Sequence, residues 1–150
     1  MTNDLKLSEF LPYRLSVLSN TVSRRIAERY AAEFDINVGQ WRVLAVIGET
    51  PGLTATEITQ RTAMDKVAVS RAVSGLIDKN LIVRTAAQSD GRCSILKMTR
   101  EGNDLYARIV PMAQSIEAEV TKTLSEDELT VLNGLLSKLA RQASPDRSLW

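Results

Sequence analysis

The 150-residue chain contains no histidine and a single cysteine, Cys93. The first absence removes the commonest general base and the commonest transition-metal ligand, and the second rules out an intrachain disulfide. Gly-rich phosphate loops and metal-ligand spacings are missing as well, so the chain is not expected to be an enzyme or to carry a metal or cofactor. Long apolar runs are also lacking. Nothing approaches the roughly 18 consecutive apolar residues of a membrane span, and the opening MTNDLKLSEF has no cationic start followed by an apolar core. These absences point to a soluble, cytoplasmic protein with no membrane partner.

What is present is a chain that is 44% hydrophobic, enough at this length for one well-cored domain spanning 1–150. The formal net charge of +1 conceals an uneven distribution. Residues 1–52 hold six cations and six anions, residues 53–100 hold eight cations against four anions, and residues 101–150 hold five against eight. The excess of positive charge is local, as in a surface that meets a polyanion.

Inside the basic stretch, MDKVAVSRAVSGLIDKN places Val69, Ala72, Val73, Leu76 and Ile77 at i, i+3, i+4, i+7 and i+8. One side of this helix is built for burial. Lys66, Val67, Ala68, Ser70, Arg71 and Ser74 lie on other faces and suit a DNA major groove. The cations and hydroxyls can donate to phosphates or base edges, and Val67 and Ala68 can touch thymine methyl groups. Asp65 is placed to cap the helix, with Thr62 as a competing cap, and Asn80 tolerates the left-handed conformation that ends one. Just upstream, Thr54-Ala55-Thr56-Glu57 is a capping box that starts a short helix with Ile58 inward. Two short helices joined by a tight turn make a helix-turn-helix.

After Asn80 the period changes from 3.6 to 2. Leu81, Val83 and Thr85 alternate with Ile82 and Arg84, and later Leu96 and Met98 alternate with Ile95 and Lys97. These two strands, joined through Ala86 to Arg92, form a β-hairpin wing. A flexible arginine near its tip, Arg92, can enter a minor groove.

Three further long helices frame this unit. The first begins at Pro12 and carries Leu11, Leu15, Leu18, Val22, Ile26 and Tyr30 on one face, ending at Asp35-Ile36-Asn37. A shorter helix with Trp41, Leu44, Ala45 and Ile47 follows, and Gly48 with Pro51-Gly52 is expected to end it. Thr99 caps a long helix with Leu105, Ile109, Met112, Ile116 and Val120 on one face and Pro111 in its interior, which predicts a kink. Ser125-Glu126-Asp127-Glu128 is a second capping box, and its helix has Leu129, Leu132, Leu135, Leu136 and Leu139 as a stripe. These stripes exceed what a small winged-helix core needs. The fold class is therefore mainly α (α+β), a winged helix-turn-helix with long terminal helices. The lobe for double-stranded DNA is 38–99, and 5–35 and 100–143 are dimerisation helices. A two-fold dimer favours palindromic operators with half-sites about 10 bp apart, or a multiple.

The segment Asp90-Gly91-Arg92-Cys93-Ser94-Ile95-Leu96-Lys97-Met98-Thr99, with Gly102, resembles the wing pattern D-x-R-x(3)-L-x-L-T of the MarR (multiple antibiotic resistance regulator) family. Only Met98 departs, one apolar side chain for another. Asn80-Leu81-Ile82-Val83-Arg84 stands where the family commonly has G-L-V-x-R. The resemblance implies a homodimeric repressor that binds DNA and is released when a small molecule binds between the dimerisation helices and the DNA-binding lobe. It makes Arg92 the wing arginine and Asp90 the carboxylate that orients the wing. Together with the helix from Lys66 to Asn80, Arg84 completes the expected DNA contacts.

Phe10-Leu11-Pro12-Tyr13-Arg14-Leu15 through Ser23-Arg24 is similar to the opening of family members that control catabolism of aromatic acids. An aromatic carboxylate effector would suit Arg14, whose guanidinium can grip a carboxylate in bidentate fashion, with Leu18, Trp41, Ile47, Ile109 and Met112 as apolar lining. Two alternatives stand beside this. Oxidation of Cys93, next to Arg92, would alter the wing, and a helical protein-interaction module would need no sequence-specific DNA binding.

Overall fold

A computed structural model describes residues 4–87 and 93–144. It divides into two compact units, residues 1–38 and 39–150. No helix among the described residues is long and apolar enough to cross a membrane.

The first unit is dominated by α1 (Leu11–Phe34), entered through an exposed turn at Leu7-Ser8-Glu9 and carrying a proline in its first turn. Proline fits there because the first amides of a helix have no intrahelical partner. The helix ends where Asp35 takes a left-handed conformation, φ 49°. Its apolar stripe is not uniform. Leu11, Leu15 and Leu18 are exposed, Val22 and Ile26 are half-buried, and Tyr30 is fully buried.

The second unit contains α2 (Val38–Glu49) from its second residue on, α3 (Ala55–Thr62), α4 (Lys66–Asp78), β1 (Ile82–Ala86), β2 (Ser94–Met98), α5 (Arg100–Thr121) and α6 (Glu126–Ala143). Both capping boxes form. Thr54 Oγ1 accepts from the Glu57 amide while the Glu57 carboxylate accepts from the Thr54 amide, and Ser125 and Glu128 repeat the exchange. Gly48 does not end its helix as the sequence suggests, because α2 continues through it to Glu49. Its role is packing. A Cβ at position 48 would stand 2.5 to 2.9 Å from three ring atoms of Tyr106 on α5, so the missing side chain is what lets that ring lie against α2.

Strands β1 and β2 are antiparallel, with Ile82 opposite Met98, Arg84 opposite Leu96 and Ala86 opposite Ser94 on one face. Ala86, read from the sequence as loop, therefore belongs to β1. Ile82 and Leu96 are buried on this face, and Leu53 joins the edge through the Leu96 amide, which donates to the Leu53 carbonyl at 2.9 Å. The core of the lobe is Val43, Leu44, Ile47, Leu53, Ile58, Val69, Val73, Leu76, Ile82 and Leu96, all buried. Each such side chain contributes roughly 1.5–3 kcal/mol from burial, so the amphipathic face of α4 is fixed by the inner half of its own sequence.

Helix α5 runs unbroken through Pro111, with Ile109 and Ile116 buried. Helix α6 has no buried residue, and Val131, Leu132, Leu135, Leu136 and Leu139 are all exposed. Together they form an amphipathic stripe left exposed along α6.

Candidate nucleic-acid interface

The candidate surface is built on α4. Its start is set by Asp65, in extended conformation, whose Oδ1 accepts from the Ala68 amide at 2.8 Å. Thr62 does not compete for this cap, since its hydroxyl donates back to the Thr59 carbonyl inside α3. The turn between α3 and α4 is made by Ala63 at φ 53°, a left-handed conformation unusual for a residue with a Cβ. Val69, Ala72, Val73 and Leu76 are buried, and their burial turns Lys66, Val67, Ser70, Arg71 and Ser74 outward. Val67 is 61% exposed, a large apolar side chain left in water beside cations. Ala68, also expected as a contact, is half-buried.

Arg84 joins this surface from the wing. It is exposed on β1, opposite buried Leu96, so it projects from the sheet face turned toward the helices. Its Nη1 donates to Ser94 Oγ at 3.3 Å on the neighbouring strand, which steadies the guanidinium. Arg84, Lys66 and Ser70 line one groove of about 390 Å³, with Thr56, Thr59 and Gln60 of α3 on its other wall and Val69 and Val73 at its base. The two cations and several hydroxyl and amide groups converge where a phosphate strand can be received.

The α3 wall was not anticipated. Thr56 and Gln60 are one helical turn apart on the side of α3 opposite buried Ile58 and Thr62, so the same periodicity that placed Ile58 inward marks them. Ser94 carried no signal, because its value comes only from strand register. Asp90 and Arg92 lie outside the described residues. Ala87 and Cys93 close the described hairpin, the Ala87 amide donating to the Cys93 carbonyl at 2.9 Å.

The Glu57 carboxyl is held below its ordinary value by the hydrogen bond from the Thr54 backbone, then by that from the Thr54 hydroxyl. Among the described residues no group of acidic, cysteine or histidine side chains could hold a metal ion.

The residues expected to line an effector site fall in both units. Arg14 and Leu18 lie on α1 of the first, both exposed. The other four lie in the second. Trp41 stacks on Tyr106, ring centroids 6.0 Å apart at 26°, a partner not foreseen from the sequence. Ile47 and Ile109 are core residues, 1% and 0% exposed, and Met112 is half-buried.

Comparison with known proteins gives this geometry its setting. The MarR family model matches residues 34–92, from the end of α1 through the helix-turn-helix into the wing. A proposed transcriptional regulatory protein for the hcr operon of Thauera aromatica is 31% identical over 121 residues, covering 81% of this chain and 73% of the relative. Among solved structures, a cysteine-to-serine mutant of MarR from E. coli complexed with operator DNA superposes with a TM-score of 0.76 at 27% identity, covering 91% of this chain and 99% of that one. The PcaV transcriptional regulator from Streptomyces coelicolor, in complex with its natural ligand, shares the fold at a TM-score of 0.75 and 22% identity, covering 95% and 100%. With its winged helix-turn-helix and outward-facing α4, the chain belongs to the MarR family of transcriptional regulators, DNA-binding proteins rather than enzymes.

Proposed function

We propose that the protein is a homodimeric repressor that binds a palindromic operator through α4 and the wing and is released by a small aromatic carboxylate. The observation that carries the DNA side is the groove that brings Lys66, Ser70 and Arg84 together beside exposed Arg71 and Ser74. In this reading α4 lies in the major groove with Lys66, Val67, Ala68, Ser70, Arg71 and Ser74 toward the bases and phosphates, and Arg84 holds the adjoining backbone. Arg92, oriented by Asp90, reaches the neighbouring minor groove.

The dimer reading is supported by the leucines of α6 and by Leu11, Leu15 and Leu18 of α1. These are two apolar stripes of the kind a monomer seldom leaves in water. Residues 5–35 and 100–143 supply that interface, and residues 38–99 supply the DNA-binding lobe. The effector reading draws on Arg14, exposed on α1, as a carboxylate grip and, separately, on Leu18, Trp41, Ile47, Ile109 and Met112 as candidate apolar residues. A fold relative that binds a natural ligand is consistent with it.

The test is fluorescence anisotropy at physiological salt, using a duplex from upstream of the protein's own gene and a scrambled control. The upstream duplex binds tighter, and Arg71→Ala and Arg84→Ala weaken binding and flatten its salt dependence. Equal affinity for both duplexes refutes the operator reading. A thermal-shift screen of phenolic and cinnamic acids, repeated on Arg14→Ala, tests the effector, and absence of any shift refutes that part. A redox reading has one observation in its favour, the exposure of Cys93 where the loop of the wing enters β2. It requires that peroxide release the DNA from wild type but not from Cys93→Ser.

A further inference from the structure

The recognition helix and α5 are joined at one compact point. Helix α4 ends in a complete Schellman arrangement. Asn80 stands at φ 57°, the Asn80 amide donates to the Ile77 carbonyl at 2.9 Å, and the Leu81 amide donates to the Leu76 carbonyl at 2.9 Å. The two carbonyls that emerge from this turn both point to Thr99. The Thr99 hydroxyl donates to the Asn80 carbonyl at 2.7 Å, and the Thr99 amide donates to the Leu81 carbonyl at 3.1 Å. The same hydroxyl oxygen accepts from the Gly102 amide at 3.0 Å and so caps α5. Gly102 completes the joint, because a Cβ there would overlap the Leu81 carbonyl oxygen.

We infer that Thr99 and Gly102 are positioning residues for DNA recognition: one hydroxyl rivets the end of the reading helix to the start of α5, fixing the angle at which α4 is presented. Neither residue is among the proposed DNA contacts, and the inference rests on the reading of α4 as the element that meets DNA. A helix held only by an apolar face can slide and rotate in its groove, whereas a donor and an acceptor on one oxygen fix both ends of the link. The wing strand β1 leaves the same joint at Ile82, so wing and helix share that reference point.

The variants separate capping from riveting. Thr99→Ser keeps both hydrogen bonds. Thr99→Asp keeps an excellent acceptor for the Gly102 amide but has no proton to give the Asn80 carbonyl at neutral pH. Amide hydrogen exchange on the full-length protein without DNA reads the joint directly. In Thr99→Asp the amides of residues 81 and 99 exchange about tenfold faster, the scale of a lost tertiary hydrogen bond, while the Gly102, Ile109 and Ile116 amides keep wild-type rates. Thr99→Ser matches wild type throughout.

The second readout is the ratio of affinities for a duplex selected by the wild type from a random pool and for a scrambled duplex. This ratio falls at least about fivefold in Thr99→Asp with the salt slope on scrambled DNA unchanged, because no phosphate contact has been removed. Unchanged exchange at residues 81 and 99 overturns the rivet. Faster exchange with an unchanged affinity ratio overturns its positioning role. A wild type with no duplex preference overturns the proposed function instead, and the positioning role with it.

Discussion

Glycine at two helical positions gives opposite predictions for the same substitution. Gly134 sits in the interior of α6, on the side away from Leu132, Leu135, Leu136 and Leu139, and a Cβ there meets nothing within 4 Å. Gly134→Ala should therefore yield the plain helix-propensity gain of about 0.8–1.0 kcal/mol. Gly102 is the third residue of α5, and its added methyl would overlap the Leu81 carbonyl oxygen and stand 3.0 Å from the carbonyl carbon. The neighbour is backbone, pinned by the Thr99 amide and by the end of α4, so it cannot yield cheaply. Overpacking of this kind costs roughly 1–3 kcal/mol, which exceeds any propensity gain. For a chain of this size about 1 kcal/mol moves Tm by roughly 2–4 °C. Thermal denaturation followed by circular dichroism, at one fixed protein concentration because the proposed dimerisation would couple to stability, should show Gly134→Ala melting above wild type and Gly102→Ala below it. A Gly102→Ala protein as stable as wild type would refute the close approach on which the joint depends.

Loss of the α4 cap in Asp65→Ala should cost about 1 kcal/mol and weaken DNA binding, with Asp65→Asn retaining most of both; denaturant titration and anisotropy check the pair. Ala63→Gly should stabilise the turn by up to about 1 kcal/mol, since relief of roughly 1–2 kcal/mol of left-handed strain exceeds the added unfolded-state entropy; a lower denaturation midpoint contradicts this. The lowered Glu57 pKa gives a stability contribution fully present above the ordinary carboxylate value and lost as pH falls through the folded one. Acid titration of Glu57→Gln against wild type should show that this small, solvent-exposed contribution has gone.

Elements whose signal is local were legible in the sequence. Thr54 with Glu57 and Ser125 with Glu128 announce helix starts because a capping box is a four-residue device, and the 3.6 to 2 change of period after Asn80 announces the wing. The inward face of α4 was legible for the same reason. Gly48 misled because a glycine that ends a helix and one that admits a neighbouring ring look alike until Tyr106, 58 positions later, is brought against it. Arg84 could be recognised as exposed, but the cross-strand pairing with Leu96 and the bond to Ser94 that aim it toward α4 are matters of register. Thr99 could be read as a cap, but its second bond, 19 residues back to Asn80, belongs to the tertiary fold.

If the protein reads DNA sequence as a two-fold dimer through α4, as proposed, the duplexes it selects must carry that symmetry. Selection of duplexes by the purified protein from a random pool, followed by sequencing of the bound fraction, tests it most directly. An inverted repeat with half-site centres about one helical turn, or a multiple, apart should be enriched, and Arg71→Ala should lose that enrichment. Recovery of sequences no different from the starting pool, or of a single half-site without a symmetric partner, would contradict it.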